Sequence, residues 1–158
     1  MMVLNVMGIP SRAIVDLDYA LKEGIRNGYL DEHDQDIVAC KNELTAMILL
    51  NNNVSIGADG WPARDKNNPN SLSAADSFAL LAQQPNVLIN ISSIASKFKA
   101  RNIWIWKKGT IENHLNLSGK TEAIWAAFAN SLENNSIENV LPNDHQEIKN
   151  CVSWLLED

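Results

Sequence analysis

Asp16 and Asp18 close a short apolar run, Arg12–Val15 (RAIV), and stand two residues apart. In an extended segment the period of two puts both side chains on the same side. Carboxylates held that close repel each other unless a cation lies between them, and oxygen donors suit hard cations such as Mg²⁺ or Mn²⁺. A second oxygen-bearing set follows the strand-like run Ile103-Trp-Ile-Trp106, where Gly109-Thr110-Ile111-Glu112 forms a turn. Glu112 closes the same site if the two strands are neighbours. The Thr110 hydroxyl adds a further metal or phosphate ligand. Asp-x-Asp pairs are also common in surface loops. The position of this one after an apolar strand, with a second strand ending in Thr110 and Glu112, is what favours a metal site. Two metals about 3.5–4 Å apart would activate water and stabilise the leaving oxygen of a phosphodiester.

The charge pattern bears on the same chemistry. The chain has 158 residues and a formal net charge of −6, which argues against indiscriminate nucleic-acid binding through bulk charge. Between Lys97 and Lys120, however, six basic residues face one acid, Glu112, giving that stretch +5 and the remainder −11. Lys97, Lys99, Arg101, Lys107 and Lys108 are therefore candidate contacts to the phosphates of a nucleic acid. The same lysines also fit a solvated helix end and strand flank. His114 reads as a capping or packing residue in preference to an acid–base group. Patterns of the type GxSxG, HExxH, GxxxxGK[ST] and GxGxxG are absent. Gly119-Lys120-Thr121 resembles the tail of a phosphate loop, but His114 stands where the first glycine belongs, so Ser118-Gly-Lys-Thr reads as a helix entry.

These residues need a scaffold, and its elements are partly legible. Gly8 and Pro10 set off a strand over Arg12–Val15, which reads as a buried interior strand of a parallel sheet. Asp31–Leu50 fits a helix with Ile37, Cys40, Lys41, Leu44 and Ile48 at helical spacing and acids near its start. Residues 51–73, with three consecutive asparagines, two glycines and two prolines, read as a long variable loop pinned by Trp61. Ser73 caps a helix in which Phe78, Leu81 and Ala82 face inward. A second helix over 88–99 buries Ile91, Ile94, Ala95 and Phe98, and Ile103–Trp106 is a strand. Helices over 118–133 (Ala123, Ile124, Ala127 and Phe128 inside) and 144–156 (capped by Asn143, with Ile148, Val152 and Leu155 inside) complete the chain. The alternation predicts a single α/β domain with a small, mostly parallel sheet flanked by helices, its working residues at the carboxyl ends of strands.

No apolar stretch reaches the roughly 20 residues that span a bilayer, and the first residues lack the order of a secretory signal. Cys40 and Cys151 form no CxxC pair and read as thiols of a reducing compartment, which points to the cytoplasm. The five tryptophans read as core packing, with interface anchors as the alternative.

The run Gly8-Ile-Pro-Ser-Arg-Ala-Ile-Val-Asp-Leu-Asp18 resembles the strand and Asp-x-Asp motif of TOPRIM domains. Ile103-Trp-Ile-Trp-Lys-Lys-Gly-Thr-Ile-Glu112 looks like the downstream strand and Gly-x-Ile-Glu turn of OLD-family (overcoming lysogenization defect) nucleases. The likeness spans roughly residues 3–130. It implies a TOPRIM-like, Rossmannoid fold and a Mg²⁺- or Mn²⁺-dependent DNA nuclease, usually joined to an ABC-type ATPase and often serving antiphage defence. Carried over, Asp16, Asp18, Thr110 and Glu112 are metal ligands, and Lys120 is similar to the lysine that stabilises transition-state charge. TOPRIM domains begin with an earlier strand ending in a glutamate, which has no counterpart here. The expectation is thus a truncated or split domain, with an ATPase subunit or a chain supplying the first strand as partner. A remnant acting as a binding or regulatory subunit, including in a homo-oligomer, is the alternative function. A haloacid-dehalogenase-like phosphatase also carries Asp-x-Asp, but Tyr19-Ala20 follow Asp18 where such enzymes continue in an Asp-Gly-Thr context.

Overall fold

The two apolar runs pair. β1 (Ala13–Asp16) and β2 (Ile103–Trp106) form a parallel sheet in register from Ala13 opposite Ile103 to Asp16 opposite Trp106. The computed structural model describes residues 11–51 and 53–157, and among them these two strands make up the sheet. Gly8 and Pro10, expected to set off β1, lie outside the described residues. All four residues of β2 are buried. β1 is not the buried interior strand its composition suggests. Its side chains alternate faces, and Ile14 is 39% exposed on the side away from the core.

The chain divides into two units, one ending at Thr110 and the other beginning at Ile111. In the first, β1 runs without a loop into α1 (Leu17–Arg26), whose buried residues Leu17, Ala20, Leu21 and Gly24 recur at i, i+3, i+4 and i+7. This helix was not anticipated. α2 (Gln35–Leu50) starts later than expected, because Asp34 caps it by accepting the Asp36 backbone N–H. It buries Ile37, Cys40, Leu44 and Met47. The following stretch to Ser73 contains only the bridge Ile56–Pro62 among its described residues. Trp61 pins it, buried with its ring 6.0 Å from Phe78. Ser73 caps α3 (Ala74–Leu81), accepting the Asp76 N–H while its hydroxyl donates to the Asp76 carboxylate. A short 3₁₀ turn, Pro85–Val87, leads into α4 (Leu88–Lys99), which buries Ile91, Ile94 and Phe98. The core of this unit joins α1 to α4 with Ile103 and Ile105 of β2.

The second unit contains α5 (Ile111–His114), α6 (Glu122–Asn134), α7 (Ile137–Val140) and α8 (His145–Leu156). α6 starts at Glu122 and not at Ser118, since Thr121 holds the extended N-cap conformation. The expectation that Ala123, Ile124, Ala127 and Phe128 line its inside is also corrected. None of its residues is buried, and Trp125 and Phe128 pack edge to face on one another, ring centroids 6.5 Å apart. In α8 the N-cap is Asp144, and the buried residues are Cys151 and Trp154 in place of Val152 and Leu155, which are exposed. The apolar spacing allowed either stripe. Asp144 is itself buried, and the face descending from it through Ile148 is the one turned inward.

Candidate functional site

The junction of β1 and α1 builds the site. Asp16 is both the last residue of β1 and the N-cap of α1, with extended backbone at φ −75° and ψ 160°. The turn into the helix is fixed from across the sheet, where the Leu17 N–H donates to the Gly109 carbonyl at 2.8 Å. Gly109 follows β2 with φ +107°, a conformation that glycine alone adopts readily. Strand periodicity therefore does not place Asp18, since the backbone is already helical there. Asp18 lies in the first turn of α1 and its Oδ1 accepts the Tyr19 N–H at 2.7 Å. The two carboxylates nevertheless share one cavity of about 420 Å³, lined also by Ile14, Val15, Tyr19, Lys22 and Glu23. Carboxylates suit this end of a helix, where the macrodipole is positive.

The other cavity residues have partners beside it. Lys22 donates to the Pro62 carbonyl at 2.8 Å and sits 5.7 Å over the Phe78 ring. Glu23 pairs with Arg26 at 2.6 Å. Thr110, buried, ends the first unit just after Gly109. In the second unit, Glu112 on α5 is 8% exposed, and its Oε2 makes no hydrogen bond but stands 3.6 Å from the Lys120 ammonium. Lys120 is 64% exposed, so its charge also reaches solvent. His114 is buried. Among the described residues no three His, Cys, Asp or Glu side chains gather as a metal-binding group.

The basic stretch divides by role. Lys97 bonds the Asp34 and Asp36 carboxylates at 2.5 and 2.8 Å, tying α4 to the start of α2. Asp36 also accepts from Asn90 at 2.9 Å and Ser93 at 2.6 Å. Lys97 holds the Asp34 carboxyl below its ordinary range. For Asp36, partial burial pushes upward, but the bonds from Lys97, Ser93 and Asn90 outweigh it and its pKa is lowered. Lys97 is raised in return, by Asp34 first and Asp36 second. Lys99 lies 5.2 Å over Trp104, and Arg101 donates to the Tyr29 carbonyl at 2.7 Å above that residue's ring. Lys108 is exposed and Lys107 half-buried. Sequence reasoning missed these tethers, whose partners lie 61 to 72 positions away. It also missed Tyr19, Lys22 and Glu23, although the spacing of Leu17, Ala20, Leu21 and Gly24 was there to reveal the helix that carries them.

The chain is similar to the Old nuclease of Escherichia phage P2, with 26% identity over 157 residues. The alignment takes in 97% of this chain and 25% of that protein, so the chain spans about a quarter of its relative's length. Neither a family model nor a solved structure matches the chain. No helix among the described residues is long and apolar enough to cross a membrane.

Proposed function

We propose that this chain is a nuclease domain of the OLD type that hydrolyses DNA phosphodiester bonds with Mg²⁺ or Mn²⁺ at Asp16 and Asp18. The observation that carries the reading is the pair of carboxylates on one cavity at the carboxyl end of a parallel strand. The similarity of this chain to about a quarter of a nuclease supports it. Asp16 and Asp18 offer carboxylate oxygens to the cavity, the donors a hard divalent cation takes. A cation bound there supplies Lewis-acid polarisation of the phosphodiester and a water of lowered pKa. Thr110 and Glu112 are the further ligands in this reading. Lys120, paired with Glu112, offers its exposed ammonium to the charge that grows on the phosphate oxygens. Lys107 and Lys108 contact the backbone of the DNA, with Lys99 and Arg101 beside them. Lys97 contributes by holding α4 in place. Assembly with an ATPase subunit or a chain supplying a first strand, and a role in antiphage defence in the cytoplasm, belong to the same proposal.

A second reading, a binding or regulatory subunit with impaired catalysis, is favoured by one observation. The described residues bring together no third metal-ligating side chain. Nicking of supercoiled plasmid in Mg²⁺, Mn²⁺ or EDTA, with wild type beside Asp18→Ala, separates the two. Metal-dependent nicking that the substitution abolishes supports the nuclease. Folded wild-type protein that leaves the plasmid intact with both metals refutes catalysis by this chain and leaves the binding subunit.

A further inference from the structure

Of the ten aromatic residues, nine are buried or half-buried and one, Tyr19, is exposed. That one lines the cavity shared by Asp16 and Asp18. It stands on the face of α1 opposite the buried stripe of Leu17, Ala20, Leu21 and Gly24, with 42% of its surface in solvent. Beside it Ile14, itself 39% exposed, and Val15 give the cavity an apolar wall. The polar lining is three acids and one lysine, and that lysine's ammonium is bonded to the Pro62 carbonyl. Such a lining repels a phosphate unless a cation intervenes. Affinity for a DNA strand at this spot must therefore come partly from something other than charge. An exposed phenol ring next to an apolar wall supplies it by stacking on a nucleobase. In a duplex the faces of a base are covered by its neighbours, so only an unpaired base can lie flat on Tyr19.

Building on the nuclease reading, we infer that Tyr19 stacks an unpaired base beside the phosphodiester to be cut, and that single strands, flaps and frayed ends are the substrate class. The test measures binding apart from cleavage. A fluorescent single-stranded oligonucleotide without self-complementarity and a blunt duplex of that strand with its complement are titrated by anisotropy in Ca²⁺, against wild type, Tyr19→Ala and Tyr19→Phe. A lost stacking contact weakens binding by roughly 5- to 150-fold. Tyr19→Ala is expected to show that loss on the single strand and none on the blunt duplex. Tyr19→Phe keeps the ring and retains wild-type affinity. Equal affinity of wild type and Tyr19→Ala for the single strand overturns the inference, as does an equal loss on both ligands. Plasmid nicking without Tyr19-dependent binding overturns this inference and leaves the nuclease reading standing. Tyr19-dependent binding without nicking upholds the stacking of an unpaired base on Tyr19 and refutes cleavage by this chain.

Discussion

Gly24 ties the packing of the first unit to the geometry of the site, and replacing it by alanine tests that tie. A Cβ at this position would lie 2.6 Å from Cζ of Phe98 and 3.4–3.5 Å from its ε carbons. Neither side can yield easily. The Gly24 carbonyl is held by the N–H groups of Tyr29 and Leu30 at 2.7 and 3.1 Å. Phe98 is fully buried and packs against the Tyr29 ring, centroids 5.8 Å apart. Overpacking of a dense core costs about 1–3 kcal/mol, whereas alanine gains about 1 kcal/mol over glycine in a helix interior. The net expectation is a loss of up to about 2 kcal/mol. Urea denaturation followed by circular dichroism measures it. The clash has a diagnostic partner in Phe98→Leu, which removes ring atoms that the new methyl would strike. That change alone costs stability by leaving a void. Together with Gly24→Ala it should cost less than the two separate losses, a coupling of at least about 0.5 kcal/mol. If Gly24→Ala proves more stable than wild type by the helix-propensity gain, or if the double mutant is additive, the close approach of α1 to α4 is refuted. The placement of Asp18, which rides on α1, would then lose its support.

Two further outcomes follow from other contacts. Lys97→Met removes the cation that holds Asp34 and Asp36 below their ordinary pKa of 3.8, so its effect depends on pH. Depressed carboxylates stabilise the fold above the unfolded-state value, and that stability is lost as pH falls through their folded-state values. The raised Lys97 loses its share only as pH climbs above 10.5. The pair is partly exposed, so the gap between wild type and variant at neutral pH should be about 1 kcal/mol and should close in acid, as pH falls through the lowered carboxylate values below 3.8. A gap that persists in acid would mean the lysine acts through its aliphatic stem. Gly109→Ala forces a side chain onto φ +107°, a strain of about 1–3 kcal/mol. Because the Gly109 carbonyl receives the Leu17 N–H, plasmid nicking should fall along with the midpoint of urea unfolding. Unchanged nicking would show that the junction tolerates movement.

How much of this was legible in the residues depended on distance along the chain. Ser73 with Asp76, the strand Ile103–Trp106 and the long loop held by Trp61 all rest on neighbours or on strong propensity, and the structure has them where the sequence suggests. α1 was hidden by its start. Asp16-Leu17-Asp18 continues the alternation of the strand before it, so the eye extends the strand past the point where the backbone turns. The turn is set by Gly109, 92 positions downstream of Leu17, and nothing local announces it. Lys97 and Arg101 read as a phosphate-binding stripe for the same reason. Their carboxylate and carbonyl partners are remote in sequence, and composition cannot distinguish a tethered cation from a solvated one. In α6 the apolar residues promised a buried face that the second unit does not provide. A helical pattern fixes which residues share a side. It says nothing about whether another element covers that side.

Asp16 stands at a helix start as Asp34 and Ser73 do, and the three compare directly. Asp34 and Ser73 use their side chains as helix caps, each accepting a backbone N–H in the first turn. That is the ordinary reason for such residues at such positions, and it accounts for both of them. Asp16 occupies the same position at the start of α1, yet its side chain makes no capping bond. The helix start is held instead by the backbone bond from Leu17 to Gly109. Asp16 lines the cavity together with Asp18. Asp16 therefore does not owe its place to helix capping, and on the nuclease reading proposed above it is there to offer carboxylate oxygens to a divalent cation beside Asp18.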